Sequence, residues 1–230
     1  MRKCLSTPLF VLLSFSQSAP AAQPAPEPIV IGFAGGMVHA DDTVHGEVRL
    51  ATRLRDDSPN VQVRIFENRR GPEARREVIR LLDVDHDGTL SNAEKQVARI
   101  AIYGHSWGAS ETLELARSLG REGIPVLLTV QVDSIAKFGQ NDNSIPANVA
   151  QAANFYQRHG LLRGRARIHA ADSSRTRILG NFEFNYMHHA VRCDGYPWYA
   201  KLFMKPHIEI ESDPNVWRQV ETLIVSRLRL

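Results

Sequence analysis

The sequence predicts an α/β fold built on a mostly parallel sheet with helices on both faces. The main observation is that two kinds of segment alternate along the chain. Short apolar segments, typical of strands, are followed by segments whose apolar residues recur at helical spacing. Some of these segments, such as Val126–Val132, are strongly apolar, which is typical of strands covered on both sides. The length of 230 residues, 43% of them hydrophobic and 23% charged, suits one medium globular domain with its own core.

The part of the chain up to Gly120 is predicted to contain three strands and three longer helices, with a further, shorter helix between residue 94 and the third strand. The first helix is expected to follow Asp41 and Asp42, either of which can cap it. The second helix covers 73–82, and the third ends at Gly120, a typical stop residue. The predicted strands are Pro28–Phe33, Val61–Phe66 and Ile100–Tyr103.

The part of the chain after Gly120 begins with a strongly apolar strand that ends at Asp133. A helix is predicted after Pro146, running toward Gln157, and a last amphipathic helix is predicted from Pro214. Two weaker strand candidates lie between these helices, at Arg165–Ala170 and Ile178–Phe184.

The N-terminus is predicted to be a targeting segment. Arg2 and Lys3 make the start positive, a short apolar run follows, and Ala19-Pro-Ala21 is a small-residue cleavage signal. Since the apolar run is too short to span a bilayer, residues 1–21 are predicted to be a signal peptide and residues 22–28 a Pro/Ala-rich linker. The mature domain is therefore expected to be exported to the periplasm or the medium, without a transmembrane span.

Charge and cysteine content limit the partners and the means of stabilisation. The formal net charge is +3, and no long basic run or basic-aromatic stripe is present, so a nucleic-acid partner is not expected. Removal of the leader leaves Cys193 as the single cysteine, which excludes an intrachain disulfide and makes the fold depend on its core. No organic cofactor is expected, and the oligomeric state stays open.

The most informative motif follows the third strand. That strand leads directly into Gly104-His-Ser106-Trp-Gly108, and a helix starts at once. Strand, G-x-S-x-G and helix together form a nucleophile elbow, a tight turn in which two glycines let the strand and the helix pass close to the serine. Ser106 is therefore expected to be a nucleophile at the carboxyl edge of the sheet. The alternative is an ordinary Gly-rich turn whose serine has no chemical role.

A serine nucleophile needs a base to take its proton and a carboxylate to orient that base. In this architecture the acid and then the base follow the serine along the chain. Asp133 ends the next apolar strand, at the same edge of the sheet, and His207 is expected in a loop before the last helix. Asp172 is the reserve candidate for the acid, and His188 and His189 are the reserve candidates for the base.

Such a nucleophile also needs two backbone N–H groups that face the charge developing on the substrate oxygen, the oxyanion hole. One donor is expected from Trp107, the residue after the serine. The other is expected from the Gly-rich loop after the first strand, with Phe33 favoured over Ala34.

A second motif, at 83–94, matches the calcium-loop pattern D-x-D-x-D-G with a terminal glutamate. Calcium requires oxygen ligands at fixed positions of this loop, and Gly88 permits its sharp bend. We expect one structural calcium ion that holds the entry to the elbow strand. The alternative is an exposed acidic turn that caps a helix. The predicted ligands are Asp83, Asp85, Asp87, Thr89 through its carbonyl group, Ser91 and Glu94.

The chain resembles the α/β-hydrolase superfamily, and within it the small bacterial lipase- or esterase-like members. The resemblance rests on the Gly-Phe-x-Gly loop after the first strand, the elbow, the Val-Asp pair at a strand end and the late Pro-His-Ile. It covers 29–230 and implies Ser106 as nucleophile, Asp133 as acid, His207 as base and an acyl-enzyme intermediate. The short chain implies a minimal domain without a large lid, and the acidic loop resembles a single EF-hand loop.

These observations favour a serine hydrolase that cleaves carboxylic esters or thioesters of a small-molecule or lipid-like substrate. A second hypothesis is a non-catalytic calcium-binding or protein-binding domain on the same scaffold. A third is amide or peptide hydrolysis by the same three side chains.

Overall fold

The computed structural model describes residues 26–230. The predicted signal peptide and most of the predicted linker lie outside the described residues. Six strands form the main sheet and two short strands form a second one. The strands are β1 (Ile29–Ala34), β2 (Gln62–Glu67), β3 (Ile100–His105), β4 (Val126–Val132), β5 (Ser144–Ile145), β6 (Val149–Gln157), β7 (His169–Ala170) and β8 (Arg177–Phe184).

The main sheet has the strand order β2-β1-β3-β4-β6-β8, and all of its neighbouring strands are parallel. The chain moves outward in one direction from β1 to β2 and in the other direction from β3 onward. Loops at the carboxyl ends of β1 and β3 therefore diverge, and such a switch point is where ligands bind in open parallel sheets.

Residues 26–230 contain seven helices. They are α1 (Gly46–Asp57), α2 (Gly71–Leu82), α3 (Asn92–Gln96), α4 (Trp107–Arg121), α5 (Trp198–Phe203), α6 (Lys205–Ser212) and α7 (Pro214–Leu228). No helix of this part of the chain combines the length and the hydropathy needed to cross a bilayer.

The sheet is covered on both sides, which gives two apolar layers. Helices α1 and α7 pack on one face, where Leu50 and Trp217 contribute their buried side chains. Helices α2 and α4 pack on the other face, where Val78 and Leu113 are buried. The predicted parallel sheet with helices on both faces is confirmed.

The helix predicted from Pro146 toward Gln157 is wrong, because this segment forms strand β6. It pairs with β4 on one side and with β8 on the other, so it lies inside the sheet. Ala152 and Ala153 favour a helix by intrinsic propensity, but both are fully buried in the strand. Burial on both faces of a parallel sheet therefore outweighs the alanine preference here.

Two smaller predictions also differ from the structure. Helix α1 begins at Gly46 rather than directly after Asp41 and Asp42, and the Asp42 carboxylate instead accepts the Val44 N–H at 3.0 Å. The weak strand predicted at 165–170 shortens to the two residues of β7, which pair with β5.

Candidate active site

Ser106 lies between β3 and α4, in a turn with φ 55° and ψ −122°. A positive φ is strained for a residue with a side chain, and such strain is a feature of the nucleophile elbow. A Cβ on Gly104 would lie 2.5 Å from the carbonyl carbon of Gly108, and one on Gly108 would overlap the carbonyl oxygen of Phe33. Glycine is therefore required at both positions for β1, β3 and α4 to meet at the serine.

The structure brings Ser106, His207 and Asp133 together. The Nε2 atom of His207 lies 3.0 Å from Oγ of Ser106, and its Nδ1 atom lies 2.6 Å from Oδ2 of Asp133. All three side chains are buried, although Ser106 and His207 retain some exposure. These distances allow the imidazole to take the serine proton while the carboxylate fixes its tautomer.

His207 does not lie in a loop, as the sequence predicted. It is the third residue of α6, after Pro206, which is well suited to a first helical turn. Polar residues fill most of this helix, so the sequence carries little amphipathic signal, and the pattern did not indicate a helix there.

The Asp133 carboxylate has four hydrogen-bond donors. Oδ1 accepts the backbone N–H groups of Gln157 and Gly164, each at 3.0 Å. Oδ2 accepts the side-chain amide of Gln157 at 2.8 Å as well as the His207 ring. These bonds fix the plane of the carboxylate and stabilise its charge in a site that is closed to solvent. Sequence reasoning missed Gln157 and Gly164, because a glutamine at a strand end carries no motif.

The reserve candidates lie elsewhere. Asp172 binds the backbone and the hydroxyl group of Ser174, and the hydroxyl bond holds the pKa of this carboxyl below its ordinary value. His188 and His189 are exposed. None of these three residues lines the cavity that contains Ser106.

A second histidine packs directly on the candidate base. The ring centroids of His105 and His207 are 4.6 Å apart, with 35° between the ring planes. Burial lowers the pKa of His105 to about 4, although the Glu211 carboxylate acts in the opposite direction. His105 is therefore neutral near pH 7, and it would not repel a positive charge on His207.

Ser106 and His207 line a cavity of about 450 Å³ that opens to solvent. Part of the lining is apolar and includes the side chains of Met37, Trp107 and Leu162. The polar part of the lining includes Asp42, His45, Tyr196 and Glu211. No lysine or arginine of residues 26–230 is part of the lining, so the cavity favours groups without negative charge.

The predicted oxyanion donors have different outcomes. Trp107 lines the cavity, and its N–H group lies in the first turn of α4, where helical N–H groups lack an intrahelical acceptor. Phe33 is not brought to the cavity, because β1 continues to Ala34 and Phe33 pairs within the sheet on both sides. The loop residues beside Ser106 are instead Gly35 and Gly36.

The acidic loop at 83–94 joins α2 to α3. Asp83, Asp85 and Asp87 each place a carboxylate oxygen within 4.8 Å of the other two. Glu94 is not part of this cluster, because its carboxylate accepts the Ser91 N–H and hydroxyl groups at 2.8 Å and the Val84 N–H at 2.9 Å. The structure therefore brings three of the predicted ligands together, and Glu94 closes a capping box on α3.

No family model matches the sequence, and no curated protein matches it either. Among solved structures, an arylesterase superposes with a TM-score of 0.51 at 11% identity, over 89% of this chain and 76% of that one. A thermostable esterase from Pseudomonas putida ECU1011 gives a TM-score of 0.46 at 12% identity, over 92% and 77% of the two chains.

The sheet order, the elbow and the arylesterase superposition agree on the architecture. The chain has the α/β-hydrolase fold. Identities this low establish the fold alone, because one fold supports many activities. The activity of this α/β-hydrolase domain therefore has to be argued from its own site.

Proposed function

We propose that this protein is a serine hydrolase that cleaves carboxylic esters or thioesters through an acyl-enzyme on Ser106. The observation that carries the proposal is the hydrogen-bonded series from Ser106 through His207 to Asp133. A strained elbow that presents a serine to such a pair has a clear use in acyl transfer. A binding domain would gain nothing from it, since the strain and the buried charge both cost stability.

The proposed reaction has two halves. His207 takes the Ser106 proton as Oγ attacks the carbonyl carbon, and the protonated ring then returns this proton to the leaving alcohol or thiol. In the second half His207 takes a proton from water as this water attacks the acyl-enzyme, and it returns the proton to Oγ of Ser106 as the acid is released. Asp133 holds the ring in the tautomer whose Nε2 faces the serine and stabilises the ring when it is charged.

The negative oxygen of each tetrahedral intermediate needs two N–H donors. We propose Trp107 as the first donor and Gly36 as the second. Gly36 lines the cavity with φ +41°, and its N–H group donates to no acceptor within residues 26–230. Gly35 is excluded, since its N–H group is already bound to Glu47 at 3.0 Å.

The cavity supports a neutral substrate of small-molecule or lipid-like character. Its apolar lining suits an aliphatic or aromatic acyl group, and its polar lining contains two carboxyl groups but no lysine or arginine of residues 26–230. Amide or peptide hydrolysis by the same residues is the competing activity. Rates of hydrolysis of aryl esters and of the matching anilides distinguish the two activities. An esterase should cleave only the esters at a useful rate, because amides have a poorer leaving group.

Covalent labelling tests the proposal. A fluorophosphonate probe is expected to add one phosphonyl group to Ser106, which mass spectrometry of the digested protein locates. We also expect the protein to hydrolyse short aryl esters. A folded protein that takes no label and cleaves no ester would favour the non-catalytic binding domain instead.

We further propose that the acidic loop holds one structural calcium ion. The donor set consists of carboxylate, hydroxyl and carbonyl oxygens, which fit a hard cation. Asp83, Asp85 and Asp87 already converge, and Glu94 would join them once its carboxylate turns away from Ser91. The ion would tie the end of α2 to α3, and so steady the entry to β3.

Calcium is expected to raise the melting temperature by roughly 5 to 10 °C when its free concentration is about 100-fold above Kd, because it binds the folded state. Differential scanning calorimetry measures the shift. Replacement of both Asp85 and Glu94 by alanine should remove it, and equimolar magnesium serves as the ion control. An unchanged melting temperature at millimolar calcium in the unaltered protein contradicts the site.

We also propose that the protein is exported, on the strength of residues 1–21. Export would bring the loop into compartments where calcium reaches millimolar levels, so even a weak extracellular-type site would be filled. N-terminal sequencing of the protein recovered outside the cytoplasm would locate the cleavage point, which we expect after Ala21.

A further inference from the structure

Two buried carboxyl groups near Ser106 and His207 take no part in the proton transfers proposed above. Glu47 lies in the first turn of α1, and Glu211 lies one helical turn after His207 on α6. Glu47 is fully buried and Glu211 is 3% exposed. The two helices approach closely because α1 begins with Gly46, where any Cβ would overlap Trp217 and the backbone of α6. Oxygen atoms of the two carboxyl groups lie within 4.8 Å of each other.

Each carboxyl group also contacts other polar groups. Oε1 of Glu47 accepts the Gly35 N–H at 3.0 Å. Oε1 of Glu211 binds Nδ1 of His45 at 2.5 Å, and Nδ1 of His105 lies 3.5 Å from Oε2. The remaining oxygen, Oε2 of Glu47, is buried and has no donor within residues 26–230. An unpaired buried oxygen beside a second carboxyl group is costly unless a proton or a cation bridges them.

A bridging metal ion does not fit this arrangement. His45 and Glu211 are joined by a direct hydrogen bond of 2.5 Å. Ligand atoms that share one zinc ion at the usual bond lengths lie roughly 3 Å or more from each other. The cluster of His45, Glu47 and Glu211 is therefore better explained by a proton than by an ion.

The electrostatics of the pair favour one proton and one charge. Burial raises the pKa of Glu47 well above its ordinary value, and the charge of Glu211 raises it further. Burial also raises the pKa of Glu211, but the interactions of its carboxyl group with His105, His45 and Tyr196 outweigh burial and lower this pKa to about 2. The proton then belongs on Oε2 of Glu47, which becomes a hydrogen-bond donor to the carboxylate of Glu211.

We propose that Glu47 and Glu211 share a single proton and together hold the loop after β1 in the conformation that completes the oxyanion hole. The contact that transmits this role is the Gly35 N–H bond to Glu47. A Cβ on Gly35 would lie 3.2 Å from Cβ of Ser106, so the backbone that Glu47 holds lies against the nucleophile. The next N–H along this loop is that of Gly36. Glu47 is thus a positioning residue, and the inference rests on the proposed hydrolase function.

Two replacements of Glu47 separate this role from simple packing. Glu47→Gln keeps the geometry of the protonated acid, because its amide oxygen accepts the Gly35 N–H and its amide nitrogen donates to Glu211. We expect its kcat to stay within about three-fold of the unaltered protein. Glu47→Met fills a similar volume but removes the acceptor. We expect it to lose about 10²-fold in kcat with KM little changed, the usual effect of losing an oxyanion donor.

The dependence of kcat on pH separates the proposed role of Glu47 from a role in packing alone, because packing alone would not depend on the protonation of Glu47. Loss of the shared proton at alkaline pH would place two charges side by side and release the loop. The unaltered protein is therefore expected to lose kcat as pH rises through the pKa of the pair, whereas Glu47→Gln keeps its activity there. The titratable groups that face the pair from the surrounding elements are His45, His105, Tyr103, Tyr196 and, through His45, the Asp42 carboxylate.

Two measurements do not depend on turnover. Infrared spectra at neutral pH should show a protonated carboxyl band that Glu47→Gln removes. Hydrogen exchange of residues 34–38 should be faster in Glu47→Met and unchanged in Glu47→Gln. If the unaltered protein cleaves no ester, the proposed function fails, but these two measurements still decide whether the proton and the loop contact exist.

The inference is overturned by full kcat in Glu47→Met, by equal damage in both variants, or by absence of the infrared band. A transition metal that copurifies in stoichiometric amount and is lost from Glu47→Gln also overturns it. If Glu47→Met does not fold, the pH profile, the infrared band and loop exchange of Glu47→Gln decide the matter.

Discussion

Replacement of Ser106 by alanine is expected to lower kcat for a short aryl ester by about 10⁴- to 10⁶-fold. The cavity would be unchanged, because alanine removes a single oxygen atom. His207 would still face the substrate, but no side chain would be left to form the acyl-enzyme. Initial rates at saturating substrate measure the loss, and the fluorophosphonate label should disappear with it.

Ser110 provides a matched control, one turn further along α4. Its hydroxyl group binds the Trp107 carbonyl and the Gln140 side chain, away from the His207 ring. Ser110→Ala should retain the label on Ser106 and ester turnover of the same order as the unaltered protein. Substantial turnover in Ser106→Ala, with a native circular dichroism spectrum, would falsify the nucleophile assignment.

Replacement of Asp133 by asparagine is expected to reduce kcat by about 10⁴-fold. Asparagine has nearly the same shape, but its NH₂ group cannot accept any of the hydrogen bonds that Asp133 receives. It would have to face the Gln157 and Gly164 N–H groups or the His207 ring. In the second case the ring is held in the tautomer with an unprotonated Nδ1, and its Nε2–H can no longer take the serine proton.

Asp172→Asn is the control for this prediction, since Asp172 is the other carboxylate that the sequence offers as the acid. It should leave kcat unchanged, because Asp172 binds Ser174 outside the cavity. Urea titrations of both variants separate lost catalysis from lost stability, as Asp133 is completely buried. A kcat near that of the unaltered protein for Asp133→Asn in its folded state would exclude Asp133 as the acid.

The strands and helices that the sequence predicted well are those with one dominant signal. The apolar runs of β1, β3 and β4 and the helical spacing of α4 and α7 are strong patterns, and the structure places them within a few residues. The prediction for the segment of β6 was wrong because Ala152 and Ala153 fit either a helix or a buried strand. Its pairing with β4 and β8 depends on residues far away in the sequence, which local periodicity does not contain.

The same contrast applies to the candidate site. Ser106 and Asp133 follow strands directly, so the parallel sheet alone brings them to one edge. The prediction of Phe33 failed because β1 extends one residue further than predicted, so the proposed loop donor is Gly36, which follows the strand. Glu47 and Glu211 carried no signal, because single glutamates on helices are usually solvent-exposed.

His207 and Glu211 belong to the same short helix, four residues apart. They consequently form one rigid body, and any shift of α6 moves the base and the buried carboxylate by the same amount. A one-residue insertion between them would rotate one against the other by roughly 100°, a third of a helical turn. Changes in the length of this segment are therefore not tolerable, and homologous chains should preserve this interval even where their flanking loops vary.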